Sequence, residues 1–138
     1  MRTHEQSLIQ RMQDASRQIQ FTLAKQPARS IDLLALRKSL GLDSLREDIY
    51  IIDRNLKIIN TTFKPDQDFD FKKLNKTFVS FFAKIFQSKT FKEDRFGLEI
   101  KTGKIKKYSY QTSFDGKYII ELGFYSKSAD EFKQLLLS

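Results

Sequence analysis

The chain contains no cysteine and no tryptophan, one histidine, two prolines and five glycines in 138 residues. Without cysteine there is no disulfide, no thiolate metal site and no cysteine nucleophile, although the compartment stays open because exported domains also dispense with cysteine. His4 has no second histidine or cysteine with which to share a metal or build a triad, so it reads as a solvated residue at a helix end and no metal site is expected. No stretch approaches the roughly 18 to 20 consecutive apolar residues of a membrane span, and Met1 to Gln20 lacks the apolar centre of a signal peptide. Glu93, Asp94, Glu99 and Glu121 supply carboxylates, but no spacing among them defines an acid and base pair. No catalytic residue, no enzymatic activity and no cofactor are therefore expected, and no internal repeat or low-complexity segment is visible.

What is present is a globular composition: 40% hydrophobic and 30% charged residues, with 13 phenylalanines, in 16.3 kDa. That size fits one domain with a sizeable core. The net charge is +8, yet Lys and Arg are scattered over every predicted element instead of forming one dense run, and no nucleic-acid partner is expected.

The stretch Lys107 to Phe124, KYSYQTSFDGKYIIELGF, organises the rest. Two Tyr-, Ile- and Phe-rich runs flank Asp115-Gly116, which predicts a tight hairpin closed by a type I′ turn. On its second arm Tyr118, Ile120, Leu122 and Phe124 alternate with Ile119, Glu121, Gly123 and Tyr125, leaving apolar surface on both faces and requiring cover on both.

Upstream, Leu8, Met12, Ala15, Ile19 and Leu23 recur at spacings of three and four, predicting one long amphipathic helix over Thr3 to Lys25. Its stripe suits packing on the sheet and is compatible with a homodimer through this helix. Pro27 ends it, Ser30 is the expected N-cap of a second helix carrying Ile31, Leu34, Leu36, Leu40 and Leu42, and Gly41 marks that helix's end. DIYIID (Asp48 to Asp53) and LKIINT (Leu56 to Thr61) read as two strands around an Arg54-Asn55 turn. From Asp70, the expected cap, Phe71, Leu74, Phe78, Phe81, Phe82 and Ile85 predict a third helix to Phe86, its phenylalanines serving packing. Asp94 to Lys101 is a third strand, turned at Thr102-Gly103 into the opening hairpin, and Ala129 to Leu137 returns to helix, with the pattern still running as in a piece cut from a longer chain.

Two motif-like segments fail on inspection. Gly97 to Ile105 has five residues between its glycines where a phosphate-cradling loop needs four, and Ile105 stands where Ser or Thr should bind magnesium. Asp66, Asp68 and Asp70 alternate as in a calcium loop, but the glycine and the distal glutamate are missing. Lys101, Lys104, Lys106 and Lys107 beside Tyr108 and Tyr110 fit a single-strand grip, but a solvated hairpin edge protected by lysines explains the same residues more simply.

The layout is α+β: a five-stranded antiparallel PAS-like sheet with a long N-terminal helix on one face and a helix and loop insertion on the other. A single domain spans 1–138, with N-terminal helices in 1–42, sheet and inserted helix in 47–125, and a C-terminal helix in 128–138. Three segments, EDIYIIDRNLKIINTT (Glu47 to Thr62), DRFGLEIKTGKIKKYSY (Asp94 to Tyr110) and DGKYIIELGF (Asp115 to Phe124), make the chain resemble a Cache domain. That is the PAS-like extracytoplasmic sensor fold of bacterial and archaeal histidine kinases, chemoreceptors and diguanylate cyclases.

The resemblance implies a small molecule held between the sheet and the connecting segment Phe63 to Glu93, in a receptor anchored by flanking membrane segments outside this sequence. The amino-acid-binding subset carries a Tyr, Arg, Trp, Tyr cluster that this tryptophan-free chain lacks, so an amino-acid ligand is not implied. Arg95, Tyr108, Tyr110 and Glu121 are the candidate ligand-binding residues, polar groups on the central strands able to orient a ligand against an apolar lining. Beside that stand the ordinary readings: Arg95 in a salt bridge, the tyrosines in packing, Glu121 as a solvated strand residue. The expected function is extracytoplasmic ligand sensing transmitted through the terminal helices. The rivals are a cytoplasmic PAS-like protein-interaction module and, behind it, a basic nucleic-acid-binding domain.

Overall fold

The computed structural model describes residues 4–94, 97–98 and 105–125. Helix α1 (His4–Lys25) is followed by a 3₁₀ turn (Ala28–Ser30) and α2 (Leu33–Ser39). Strands β1 (Glu47–Asp53) and β2 (Ile58–Thr61) lead through 3₁₀ turns at Lys64–Asp66 and Phe71–Lys73 to α3 (Lys76–Ser88). Short strands β3 (Lys92–Glu93) and β4 (Gly97–Leu98) and the long pair β5 (Ile105–Thr112) and β6 (Tyr118–Tyr125) complete the described chain. The sheet is antiparallel, in the order β2-β1-β6-β5-β3, with β4 further along the same edge of β5. The five strand positions are those of the expected α+β layout, the long N-terminal helix included. The third position is broken, because the register against β5 slips by one residue between Glu93↔Ser109 and Gly97↔Lys106.

Cover on both faces follows from the alternation in β6. Ile120, Leu122 and Phe124 join Ile49, Ile51 and Ile59 beneath the α1 stripe of Leu8, Met12, Ala15, Ile19 and Leu23. Ile119 joins Tyr50, Ile52 and Ile58 beneath Phe82, Ile85 and Phe86 of α3. The burial of these aliphatic and aromatic side chains, each contributing about 1.5 to 3 kcal/mol, is the main force seating both helices. Polar ties fix α1 and α2 against β1. Arg11 Nη2 donates to Glu47 Oε1 at 2.6 Å, and Arg37 Nη1 donates at 2.9 Å to Asp48 Oδ1, which also accepts from Thr62 Oγ1 at 2.7 Å.

Several local expectations are corrected. The second helix is capped by Asp32, not Ser30: Asp32 Oδ1 accepts from Ala35 N at 3.0 Å, while Ser30 closes the 3₁₀ turn and Ile31 is extended. Gly41, at φ +72°, does end that helix, with Leu42 N bonded to Arg37 O and Gly41 N to Lys38 O. The predicted Asp70 to Phe86 helix is two pieces. Asp70 caps only the 3₁₀ turn, and the extended Asn75 starts α3 by accepting from Thr77 N and Phe78 N at 2.9 and 3.3 Å. Between β1 and β2 the turn includes Leu56 at φ 61°, so β2 begins at Ile58 instead of Leu56.

The Asp115-Gly116 hairpin is not a two-residue type I′ turn, since only Gly116 has positive φ there. Ser113 N bonds Tyr118 O at 2.8 Å around a wider loop, in which Asp115 Oδ1 accepts from Ser113 Oγ and Lys117 N. An aspartate that bonds its own loop stabilises this wider connection. Most of the expected third strand, the Thr102-Gly103 turn and the C-terminal helix at 128–138 lie outside the described residues. No helix among the described residues is long and apolar enough to cross a membrane.

Candidate functional site: a polar pocket on the α3 face

Three neighbouring strands place one row of polar side chains on the α3 face. β6 pairs with β1 at Glu121↔Tyr50 and with β5 at Glu121↔Tyr110, so a carboxyl group stands between two tyrosines in the middle of the sheet. The next pairs, Tyr108↔Gly123 and Lys106↔Tyr125, extend this surface toward one end of the strands. Above it arch the 3₁₀ turns and the first turn of α3. The resulting pocket of about 290 Å³ is lined by Tyr50, Ile58, Lys106, Tyr108 and Glu121 from the sheet, and by Asp66, Phe69, Phe71 and Phe78 from the covering segment.

Burial sets the chemistry of this row. Glu121 is 6% exposed, and loss of water pushes its carboxyl from 4.5 up to about 7. The Tyr110 hydroxyl, which donates a hydrogen bond to it, and the Lys106 ammonium pull the other way, while Asp66 and Asp94 add to the rise. Tyr50 and Tyr110 are held protonated well above the usual phenol range, first by burial and then by neighbouring carboxylates. Near neutral pH the site therefore combines tyrosine donors with a carboxyl group poised between acid and anion. Among the described residues no cluster of His, Cys, Asp and Glu is arranged to hold a metal ion.

Lys106 is the part of the site that sequence reasoning missed. It is 6% exposed, not a solvated edge residue, because β5 is an interior strand with β6 on one side and β3 and β4 on the other. Lys107, at 2%, is buried for the same reason, which corrects the edge-lysine reading for both. The Lys106 ammonium donates to Tyr50 Oη at 3.1 Å and lies 4.3 to 5.3 Å from the ring centroids of Tyr125, Tyr108 and Tyr50. Gly123 makes room for it: a Cβ there would meet Lys106 Cε at 2.5 Å and Nζ at 3.2 Å.

Replacing Gly123 by Ala should displace the ammonium while changing stability by no more than about 1 kcal/mol. The lysine tail can move, and alanine in a strand costs less entropy than glycine. With the cation moved away, the Glu121 midpoint should rise above its wild-type value. A large fall in melting temperature, or an unchanged Glu121 midpoint in a carboxyl NMR titration, would contradict this role for Gly123.

Of the residues singled out from sequence, Tyr108 and Glu121 line the pocket. Tyr110 stands just behind it, stacked on Tyr108 at 6.4 Å and covered by Phe81 and Phe82 at 4.9 and 6.0 Å. Glu121 is buried, so its reading as a solvated strand residue does not hold. Arg95 lies outside the described residues. Tyr50 and Gly123 are not among the sequence candidates, Asp66 stands there only in the rejected calcium-like loop, and Lys106 only in the rejected single-strand grip. The one available signal was the i, i+2, i+4 alternation of Lys106, Tyr108 and Tyr110, which puts the lysine on the tyrosine face.

No family model and no curated protein matches the sequence. Among solved structures, the Bacillus subtilis YkuI protein, described as having an EAL domain and crystallised with its substrate c-di-GMP and calcium, matches with a TM-score of 0.59 at 10% identity. The match covers 90% of this chain and 33% of that one, so the chain spans about a third of the neighbour's length and the likeness is one of fold.

Proposed function

We propose that this chain is a small-molecule-sensing domain of the Cache type, the extracytoplasmic part of a membrane-bound signalling receptor. The observation that carries the reading is the pocket between the sheet and the segment joining the second and third strand positions, with Tyr108 and Glu121 in its wall beside the buried cation Lys106. Apolar rings on one side and a few convergent polar groups on the other form the usual composition of a ligand site.

Thr112 joins the two layers through the sheet. Thr112 Oγ1 donates to Ile85 O of α3 at 3.0 Å, and Thr112 O accepts from Gln20 Nε2 of α1 at 2.9 Å. Ser16 Oγ donates to Gln111 Oε1 at 2.8 Å one position earlier. A ligand that binds one seating of α3 better than another would thus bias the seating of α1, the helix that leads toward the membrane in this reading. Only such unequal affinity can drive the change.

The test is a thermal-shift screen against small metabolites. A compound at about a hundred times its Kd should stabilise the domain by roughly 2.7 kcal/mol, raising the melting temperature by roughly 5 to 10 °C, and Tyr108→Ala should abolish that rise. A broad library without a single Tyr108-dependent shift would remove the ligand-sensing reading and leave a ligand-free structural role.

A further inference from the structure

We propose that the corner formed by residues 72–80 is a docking surface for an anionic lipid bilayer. From Phe71 to Lys92 the chain contains Lys72, Lys73, Lys76, Lys84, Lys89 and Lys92 and not one aspartate or glutamate. Every residue from 72 to 80 is exposed. A solvated helix face would account for the lysines alone. It does not account for Leu74, Phe78 and Val79 among them, which are 50%, 38% and 39% exposed.

The break in the helix creates this corner. Leu74 follows the 3₁₀ turn at φ −82°, ψ −78°, and Asn75 reverses to an extended conformation before α3 begins. Leu74 is thereby left outside the helix, on the surface beside Lys72, Lys73 and Lys76. Phe78 also lines the pocket, so Leu74 and Val79 are the main apolar contacts offered outward. The three lysines make no ion pair among the described residues. Of the nearby acids, Asp68 pairs with Arg29 and Asp70 accepts from Lys72 N, so the preceding acidic loop is tied into the fold.

Charge complementarity calls for an anionic partner, and the apolar residues decide which. Leu74 and Val79 have no ring to stack on a base, and no arginine occurs from 71 to 92 to fork onto a phosphate, as nucleic-acid surfaces favour. Aliphatic side chains ringed by lysines suit the boundary between headgroups and acyl chains, where long lysine stems lie along apolar surface with their charges in water. Each lysine at an anionic bilayer strengthens partitioning about fivefold, so three account for about a hundredfold.

The test is sedimentation of the whole chain with vesicles at low salt. It should bind vesicles of phosphatidylglycerol and phosphatidylcholine in a 3:7 ratio (about 30% anionic lipid) and not phosphatidylcholine alone. The triple variant Lys72→Gln, Lys73→Gln, Lys76→Gln should lose about a hundredfold in partitioning. A triple variant of the exposed Lys25, Lys38 and Lys117 to Gln, with the same change in net charge, should stay close to wild type. Leu74→Ser with Val79→Ser should weaken binding with an unchanged melting temperature. Absence of binding, equal loss in both lysine triples, or tighter binding to a duplex oligonucleotide than to the vesicles would overturn the proposal.

Discussion

Phe82→Ala should destabilise the domain by about 3 to 5 kcal/mol, the cost of emptying a large, closed aromatic site. Phe82 is 1% exposed, and its ring packs at 4.8 Å from Phe71, 5.4 Å from Phe81 and 6.0 Å from Tyr110. Ile119 and Ile52 lie in the same cluster, so the ring packs α3 onto the sheet beside Ile85 and Phe86. Phe78→Ala, at a position 38% exposed, should cost about 1 kcal/mol or less. Urea unfolding of the two variants measures the contrast. A loss under about 1 kcal/mol for Phe82→Ala would mean that α3 is not seated on the sheet, and the pocket beneath its first turn would go with it.

The second large effect is a dependence on pH that Glu121→Gln should remove. Because burial raises the folded carboxyl to about 7 while the unfolded one stays near 4.5, the folded chain binds a proton more strongly than the unfolded chain does. The stability this contributes is fully present below about pH 4.5 and is lost as pH rises through about 7. Between pH 5 and pH 8 the wild type should therefore lose about 2 to 3 kcal/mol relative to Glu121→Gln. Comparing the two proteins at both pH values cancels any constant effect of leaving Lys106 with a neutral neighbour. Glutamine still accepts from the Tyr110 hydroxyl, so the geometry is kept. Parallel stability curves for the two proteins would show that Glu121 is ionised in the fold at all these pH values.

The parts of the fold written as strong periodicities were legible in the residues. The α1 stripe from Leu8 to Leu23 and the two-sided alternation of β6 led directly to a sheet covered on both faces, because helical and strand periods cannot be confused over such lengths. Capping was less legible. Ser30 and Asp32 are both good N-caps two residues apart, and only the extended backbone at Ile31 selects the second. Asn75 was hidden because the phenylalanine spacing runs across it without a change of phase, so the break that exposes Leu74 left no mark in the hydrophobic pattern.

The candidate site was half legible. Tyr108 and Glu121 could be nominated because polar residues in the central strands of a covered sheet must face something. Lysine in a β-run usually marks an edge, which is all that local sequence says of Lys106, because strand order is a tertiary fact. Gly123 became meaningful only once that lysine was seen to cross it.

Site-specific carbon-13 titration of the Glu121 carboxyl group in the folded protein tests the central claim most directly. The desolvated pocket floor predicts a midpoint of about 7. A midpoint between about 4 and 5, the range of a hydrated glutamate, would mean that water reaches the middle of the sheet and that neither the α3 cover nor the pocket is as described.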